Sequence, residues 1–293
     1  MTIASVHPAI DDLTALRALV GSRRPRAPLR GAQGTHGAPA GTQRGRGLEF
    51  AELRAYQPGD DVRSIDWRRS ARHGQPCTKL FHAERERVLR LLVDLGPTMQ
   101  FGTRGAFKSV AAARCAALLA WQAAQAGDRV AGSVGRLDGW HGTPPRARQA
   151  GVLALLRLLG AAPGQAAALS FAAGLQGLAR QVSSNDRVVV CSDFRNLDAA
   201  AEELLVQIGR RAACVLVQIY DAFEAVPPPP GQYAFTDGKR ETVVDFADAT
   251  VRRRHVEAFA AHTAHLRELA RRAGARLQSC ATDTAPADFL AAF

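Results

Sequence analysis

From residue 88 onward, short apolar runs alternate with longer segments whose apolar residues recur at helical spacing. Val88-Leu89-Arg90-Leu91-Leu92-Val93-Asp94 is almost unbroken, closes on an aspartate and is followed by Gly96-Pro97. That pattern predicts a central parallel strand, because a strand covered on both faces has no polar alternation. Residues 106–125 are rich in alanine, with leucines and Trp121 at helical spacing, and 128–135 reads as a second apolar strand. Helical spacing over 146–159 and 171–182 precedes a third strand, 188–193, which again ends on an aspartate. A helix over 199–211, a strand over 215–220, an extended proline loop at 227–230 and a hairpin pairing 233–235 with 242–246 follow. A long helix over 250–273 and a strand over 276–280 close the series. This alternation predicts an α/β fold, an open, mostly parallel, doubly wound sheet with helices on both faces. Such sheets place functional groups beyond the carboxyl ends of their strands, where Asp94 and Asp193 stand.

The amino-terminal third is patterned differently. Residues 1–20 hold one short amphipathic helix, with Leu13, Leu16, Leu19 and Val20 on its apolar side. Residues 21–47 are rich in Gly, Pro, Ala and Thr, with arginines at 23, 24, 26, 30, 44 and 46, and predict a flexible basic linker. Over 48–86, Phe50, Leu53, Tyr56, Ile65, Trp67, Leu80 and Phe81 supply enough apolar bulk for a small β-rich subdomain, with a turn at Pro58-Gly59-Asp60-Asp61. The α/β domain is then 87–293.

Composition narrows the class. The 293 residues are 47% hydrophobic and 22% charged, which excludes wholesale disorder. Lys and Arg number 38 against 27 Asp and Glu, and only Lys79, Lys108 and Lys239 are lysines, so the excess is guanidinium and favours phosphate or carboxylate partners. The five cysteines form no CxxC pair and read as reduced thiols. The first twenty residues lack a secretory pattern. Arg114 and Arg157 interrupt the longest apolar stretches, which fall short of the roughly 18 residues that span lipid. A cytoplasmic location is expected.

Two groups of residues carry chemistry. Asp94-Leu95-Gly96-Pro97-Thr98, with Asp193 at the end of another strand, resembles a degraded form of the metal-ion-dependent adhesion site of the von Willebrand factor A fold. That site is written Asp-x-Ser-x-Ser, with a threonine and an aspartate from two further loops. Its carboxylate and hydroxyl oxygens suit Mg²⁺, a hard ion that keeps several waters. By this resemblance Asp94, Thr98 and Asp193 are the metal candidates. Gly96 supplies no hydroxyl, and in the second loop only Ser170 offers an oxygen, so any Mg²⁺ binding is expected to be weak. The alternative is that both aspartates cap helices or accept loop amide hydrogen bonds.

The second group is Gly45-Arg46-Gly47-Leu48-Glu49-Phe50, Leu53-Arg54-Ala55-Tyr56, the run from Pro58 through Asp60, Asp61, Arg63 and Asp66 to Trp67, and Ala71-Arg72. Together with Lys79-Leu80-Phe81, Phe101-Gly102, Lys108 and Gly127-Asp128-Arg129 it resembles the bacterial family called domain of unknown function 58. The resemblance implies a von Willebrand factor A-like domain preceded by a small β-rich insertion and working beside a MoxR-type AAA+ ATPase. It implies no reaction. Relatives often carry membrane helices near the amino terminus, which this sequence does not show, so it groups with short soluble members. Read physically, Arg54, Asp60, Asp61, Arg63, Asp66 and Trp67 form either a network that holds the insertion together or a surface for a protein partner.

Other motifs fail on spacing. The segment from Gly102 to Ser109 lacks both the four-residue interval and the Gly-Lys pair of a phosphate-binding loop. His255, His262 and His265 read as a solvated helix face without an acid or cysteine at metal spacing. Ser170, Ser192 and Cys191 have no adjacent histidine, so no hydrolytic triad is visible. The basic linker has no aromatic residue for base stacking, which argues against nucleic acid. The expected function is therefore a non-enzymatic adaptor acting with the ATPase through Asp94, Thr98 and the 54–67 group. A metal-dependent hydrolase and a nucleic-acid-binding protein are the alternatives.

Overall fold

The computed structural model describes residues 3–21, 48–57, 62, 65–83, 87–161, 169–236 and 241–293. They fall into two compact units, one within Met1–Gln33 and Arg87–Phe293, the other within Gly34–Glu86. In chain order the elements are β1 (Ile3–Ser5), α1 (Ile10–Ala15), α2 (Arg17–Gly21), β2 (Leu48–Ala55), α3 (Trp67–His73), β3 (Cys77–Ala83), β4 (Val88–Asp94), β5 (Gly105–Ala106), α4 (Lys108–Gln125), β6 (Arg129–Arg136), β7 (Gly139–Ala147) and α5 (Arg148–Leu159). They continue as α6 (Phe171–Ala179), β8 (Arg187–Ser192), α7 (Ala199–Arg211), β9 (Ala213–Tyr220), α8 (Ala222–Ala225), β10 (Gln232–Thr236), β11 (Glu241–Asp245), α9 (Ala249–Ala273), β12 (Arg276–Ala281) and α10 (Pro286–Ala292).

In the smaller unit, β2 and β3 pair antiparallel with a bulge between Phe50 and Glu52. The Asp66 side chain caps α3 by accepting from the Arg69 amide, and Gly74 ends that helix in the left-handed region at φ 68°. Ser70 ties the helix to β3, its hydroxyl donating to the Asp66 carbonyl and accepting from the Cys77 amide.

The larger unit is built on a six-stranded sheet in the order β12-β9-β8-β4-β6-β7. All of its pairings are parallel except β6 with β7. The strands at its centre are buried on both faces, and their alternation divides the core in two. From β4, Leu89, Leu91 and Val93 join the cluster that holds α4, α5 and the amino-terminal helices, whereas Leu92 joins the cluster of α6, α7 and α9. Arg90 is also buried, and its guanidinium pairs with buried Asp186 at 2.6 Å.

Helix α4 sits deepest. Fourteen of its 18 residues are buried, seven of them alanines, so it is apolar almost all round and lies against the sheet while other helices cover it. Its first residue is Lys108, and the depth of the helix carries that lysine inside.

The helix expected over 10–20 is two helices broken at Leu16, and the Leu13 carbonyl accepts from the indole N–H of Trp121 in α4 at 3.1 Å. Strand β7, for which the sequence pattern gives no expectation, carries Pro144 and Pro145. It lies at the sheet edge, where a missing amide donor costs no ladder bond, and its register with β6 shifts between Val130 and Gly132.

Close helix contact makes a prediction. A Cβ on Gly209 of α7 would overlap the Ala273 carbonyl of α9, whereas one on Gly177 of α6 would meet nothing. Gly209→Ala should therefore lose about 1–3 kcal/mol of stability and Gly177→Ala should gain about 0.4–1 kcal/mol, read from urea midpoints.

Candidate functional site

Strands β4 and β8 are hydrogen-bonded neighbours with Val93 opposite Cys191. Both chains leave the sheet at the same edge, so Asp94 and Asp193 emerge side by side, each only 2% exposed. Thr98 lies on the 3-10 turn Pro97–Met99 that follows β4. The three metal candidates are thus brought together, but their oxygens are turned on protein donors. One Asp94 oxygen accepts from the Gly96 amide and the other from the Ser192 hydroxyl, both at 2.8 Å. One Asp193 oxygen accepts from the Thr98 hydroxyl at 3.2 Å and the Arg195 amide at 3.0 Å.

The other Asp193 oxygen accepts from the Lys108 ammonium at 2.8 Å. Lys108 is 2% exposed, and its Nζ also donates to Glu224 Oε1 at 3.1 Å and lies 5.7 Å from the centre of the Phe101 ring. Glu224 is set by its own short helix: its second oxygen accepts from the amide of Asp221, which caps α8 in a reciprocal capping box. Asp221 in turn accepts from the Thr103 amide and hydroxyl, the Thr282 hydroxyl and the Phe223 amide. Arg195 reaches Glu224 at 3.4 Å from the exposed side, and His262 of α9 bonds the Asp193 carbonyl at 2.8 Å.

These surroundings separate the acids. Burial raises the Asp94 carboxyl to about 6 against the pull of the Gly96 amide and Ser192 hydroxyl; the neighbouring Asp193 charge adds to the rise and Lys108 opposes it. Burial also works against the Asp221 charge, yet the hydrogen bonds from Thr103, Thr282 and Phe223 prevail and hold that carboxyl below its ordinary range. His262 is lowered, chiefly by burial.

The residues do not fit Mg²⁺. A Cβ on Gly96 would stand 2.8 Å from Leu169 Cδ2 and 2.9 Å from Asp94 Oδ1, so an apolar side chain fills the side from which further oxygens would come. The Ser170 hydroxyl caps α6 by accepting from the Ala173 amide. A buried cation already lies on Asp193, and among the described residues no three His, Cys, Asp or Glu side chains are placed to hold a metal. Of the alternative reading of the aspartates, the loop amide bonds are present, since Asp94 and Asp193 each bind the amide two residues ahead, whereas the caps of the elements that follow are Gly96 and Asp198.

Sequence reasoning missed Lys108, Glu224, Ser192 and Asp221 as members of this cluster. The available signal was Lys108 itself, one of three lysines, opening an alanine-rich helix. The histidines were misread as one solvated face. His262 is half-buried against β8's exit, His255 bonds the Phe223 carbonyl at 2.6 Å, and exposed His265 pairs with Glu202 at 2.8 Å.

In the smaller unit, Asp60, Asp61 and Arg63 lie outside the described residues, and Arg54 is placed only as a position on β2. Asp66 is a helix cap, a structural role that its carboxylate fills directly. Trp67 is 68% exposed, which is the arrangement a recognition surface needs and a packed core does not.

The larger unit is thus an open α/β domain whose carboxyl edge is closed by a cluster of acids around one lysine. The family described as "Protein of unknown function DUF58" matches residues 52–265, and the chain belongs to it. The uncharacterized protein Rv1480 of Mycobacterium tuberculosis is 29% identical over 251 residues, covering 85% of this chain and 79% of the relative. Similar solved structures include an aerotolerance-related membrane protein from Bacteroides fragilis, at 15% identity and TM-score 0.44 over 71% of this chain and 96% of that one. Another is a von Willebrand factor type A protein from Catenulispora acidiphila, at 13% identity and TM-score 0.35 over 73% and 41%. Among the described residues no helix is long and apolar enough to cross a membrane.

The raised Asp94 carboxyl sets a pH dependence. An acid with a higher pKa folded than unfolded binds its proton more tightly in the native state, so stability falls as pH rises from about 4 through about 6 and levels above. Asp94→Asn removes the charge, and unfolding measured across pH 5 to 8 should show a shallower decline than wild type, with a difference of about 1–1.5 kcal/mol over that window. Parallel curves would mean Asp94 does not titrate in that window.

Proposed function

We propose that the protein is a non-catalytic adaptor that engages a MoxR-type AAA+ ATPase and its target proteins through the carboxyl edge of the sheet. The ATPase comes from the family resemblance. The observation that carries the non-catalytic half is the closure of the edge on itself. Asp94, Asp193, Asp221 and Glu224 all accept from internal donors, and the Ser192 hydroxyl donates to Asp94 and accepts from the Phe194 amide while only 1% exposed, which seals it from a substrate. A nucleophile must also reach its substrate, which a buried hydroxyl does not, and the nearby histidine, His262, is engaged with a backbone carbonyl. What the edge offers a partner is its rim, with Pro97, Arg195 and Asn196 exposed and Thr98 half-buried. Exposed Trp67 supports a second contact from the smaller unit, since buried aromatic anchors dominate many protein interfaces.

Interferometry with the full chain and a purified MoxR-type ATPase, with and without ATP, tests this. Arg195→Glu with Asn196→Arg should weaken binding by at least about tenfold, and Trp67→Ala should weaken it separately, while Gly177→Ala should not. Unchanged binding by a folded rim variant removes the docking surface. ATP turnover by the purified chain at enzyme-like rates removes the adaptor reading.

A further inference from the structure

We infer that Lys108 is the resident cation of the carboxyl edge, its ammonium standing where a divalent ion would otherwise balance Asp193 and Glu224. The edge is consequently indifferent to metal.

The argument begins with placement. Lys108 is the first residue of α4, at the positive end of the helix dipole, where a cation is disfavoured. Its side chain is 3% exposed. A position unfavourable on both counts is held by what surrounds it: Asp193 Oδ2 at 2.8 Å, Glu224 Oε1 at 3.1 Å and the face of Phe101. These arrive from the end of β8, from α8 and from the loop before β5, so the ammonium is enclosed from several sides.

Residue type is the second step. The chain has 38 basic residues and only three are lysines, yet a lysine stands here. An ammonium is a compact point charge, whereas guanidinium is a planar fork suited to bidentate pairing with one carboxylate. Two acids from different elements and an aromatic face on a third side match the compact ion. Lysine thereby does with one charge, from inside the chain, what a small metal ion does from outside.

Exclusion is the third. A divalent ion on the Asp193 oxygen would stand beside a fixed ammonium, and like charges at that separation in a buried site repel strongly. Leu169 and Gly96 offer no oxygen to offset this. Truncating Lys108 changes the balance: it leaves Asp193 Oδ2 and Glu224 Oε1 facing a vacated space, with Arg195 touching Glu224 only from the exposed side and Asp94 adding a further negative charge beside Asp193. Hard divalent cations bind such oxygen sets.

The test uses the full chain, thermal unfolding in Mg²⁺ or EDTA, and Mn²⁺ titration followed by electron paramagnetic resonance. The wild type should unfold at the same temperature in both and leave the Mn²⁺ signal that of the free ion. Lys108→Ala should unfold at a lower temperature in EDTA, recover in Mg²⁺, and bind Mn²⁺ at least about tenfold more tightly than wild type. Lys108→Arg, which keeps the charge, should be less stable than wild type but equally indifferent to metal. If Lys108→Ala does not fold in EDTA, refolding it with Mg²⁺ gives the same reading.

Mn²⁺ binding by wild type that Mg²⁺ displaces and Asp193→Asn abolishes would overturn the inference. So would a Lys108→Ala protein that neither loses stability nor binds an ion, or one that stays unfolded in both conditions. None of these outcomes depends on whether an ATPase docks at the rim.

Discussion

The ammonium of Lys108, buried between Asp193 and Glu224, ties together segments that are far apart in sequence: the start of α4, the exit of β8 and the short helix α8. Removing a charge from water costs several kcal/mol, and the cost is offset only where partners are fixed in good geometry. That condition reaches outward. Glu224 is useful to the ammonium only because Asp221 caps α8, and Asp221 holds its charge only because Thr103 and Thr282 donate to it. The loop before β5 and the turn after β12 are therefore both tied, through Asp221, to the same buried cation.

Depth is the second constraint. Lys108 is inside because α4 is inside, and α4 is inside because its residues are small. Ala112, Ala113, Ala116, Ala117 and Ala120 are each fully buried, and larger side chains at these positions would hold the helix away from the sheet. The chain of cause runs from an alanine-rich segment, to a helix laid close against parallel strands, to a lysine delivered to the strand exits. Polar chemistry at the edge rests in this way on apolar packing behind it.

Much of the frame was legible because it depends on local pattern. The run from Val88 to Asp94 and the one from Val188 to Ser192 are apolar on both faces, and their aspartate ends do meet as neighbours. Strand β7 was not legible, since its prolines and polar residues resemble a loop and only the edge position makes a strand of them. The break at Leu16 was also hidden, because both short helices keep their apolar residues at the spacing of one long helix. At the site, sequence named the carboxylates but not what answers them. Asp193 and Lys108 are 85 residues apart, Lys108 and Glu224 116 apart, and no local spacing links them. The resemblance to a metal site drew attention to absent oxygens, at Gly96 and around Ser170, while the informative residue was a cation already present.

Asp94 and Asp193 show how little separates two roles. They end neighbouring strands, are equally buried and each receives the amide two residues ahead. Asp193 adds an ion pair with an ammonium; Asp94 adds only the hydroxyl of Ser192. A hydroxyl dipole supports a carboxylate far less than a full charge does, so burial prevails at Asp94 and raises its carboxyl to about 6. Near neutral pH the edge therefore carries one acid matched by a fixed cation and another that is largely ionised but held only by an amide and a hydroxyl. Both acids are only 2% exposed, so the outward character of the edge is set by the residues left exposed. Chief among these is Arg195, only partly occupied by Glu224 at 3.4 Å. An exposed guanidinium at the rim of a buried, hydrogen-bonded cluster favours an acidic group on whatever meets it, which is the reverse of the preference that bare, exposed paired aspartates would give.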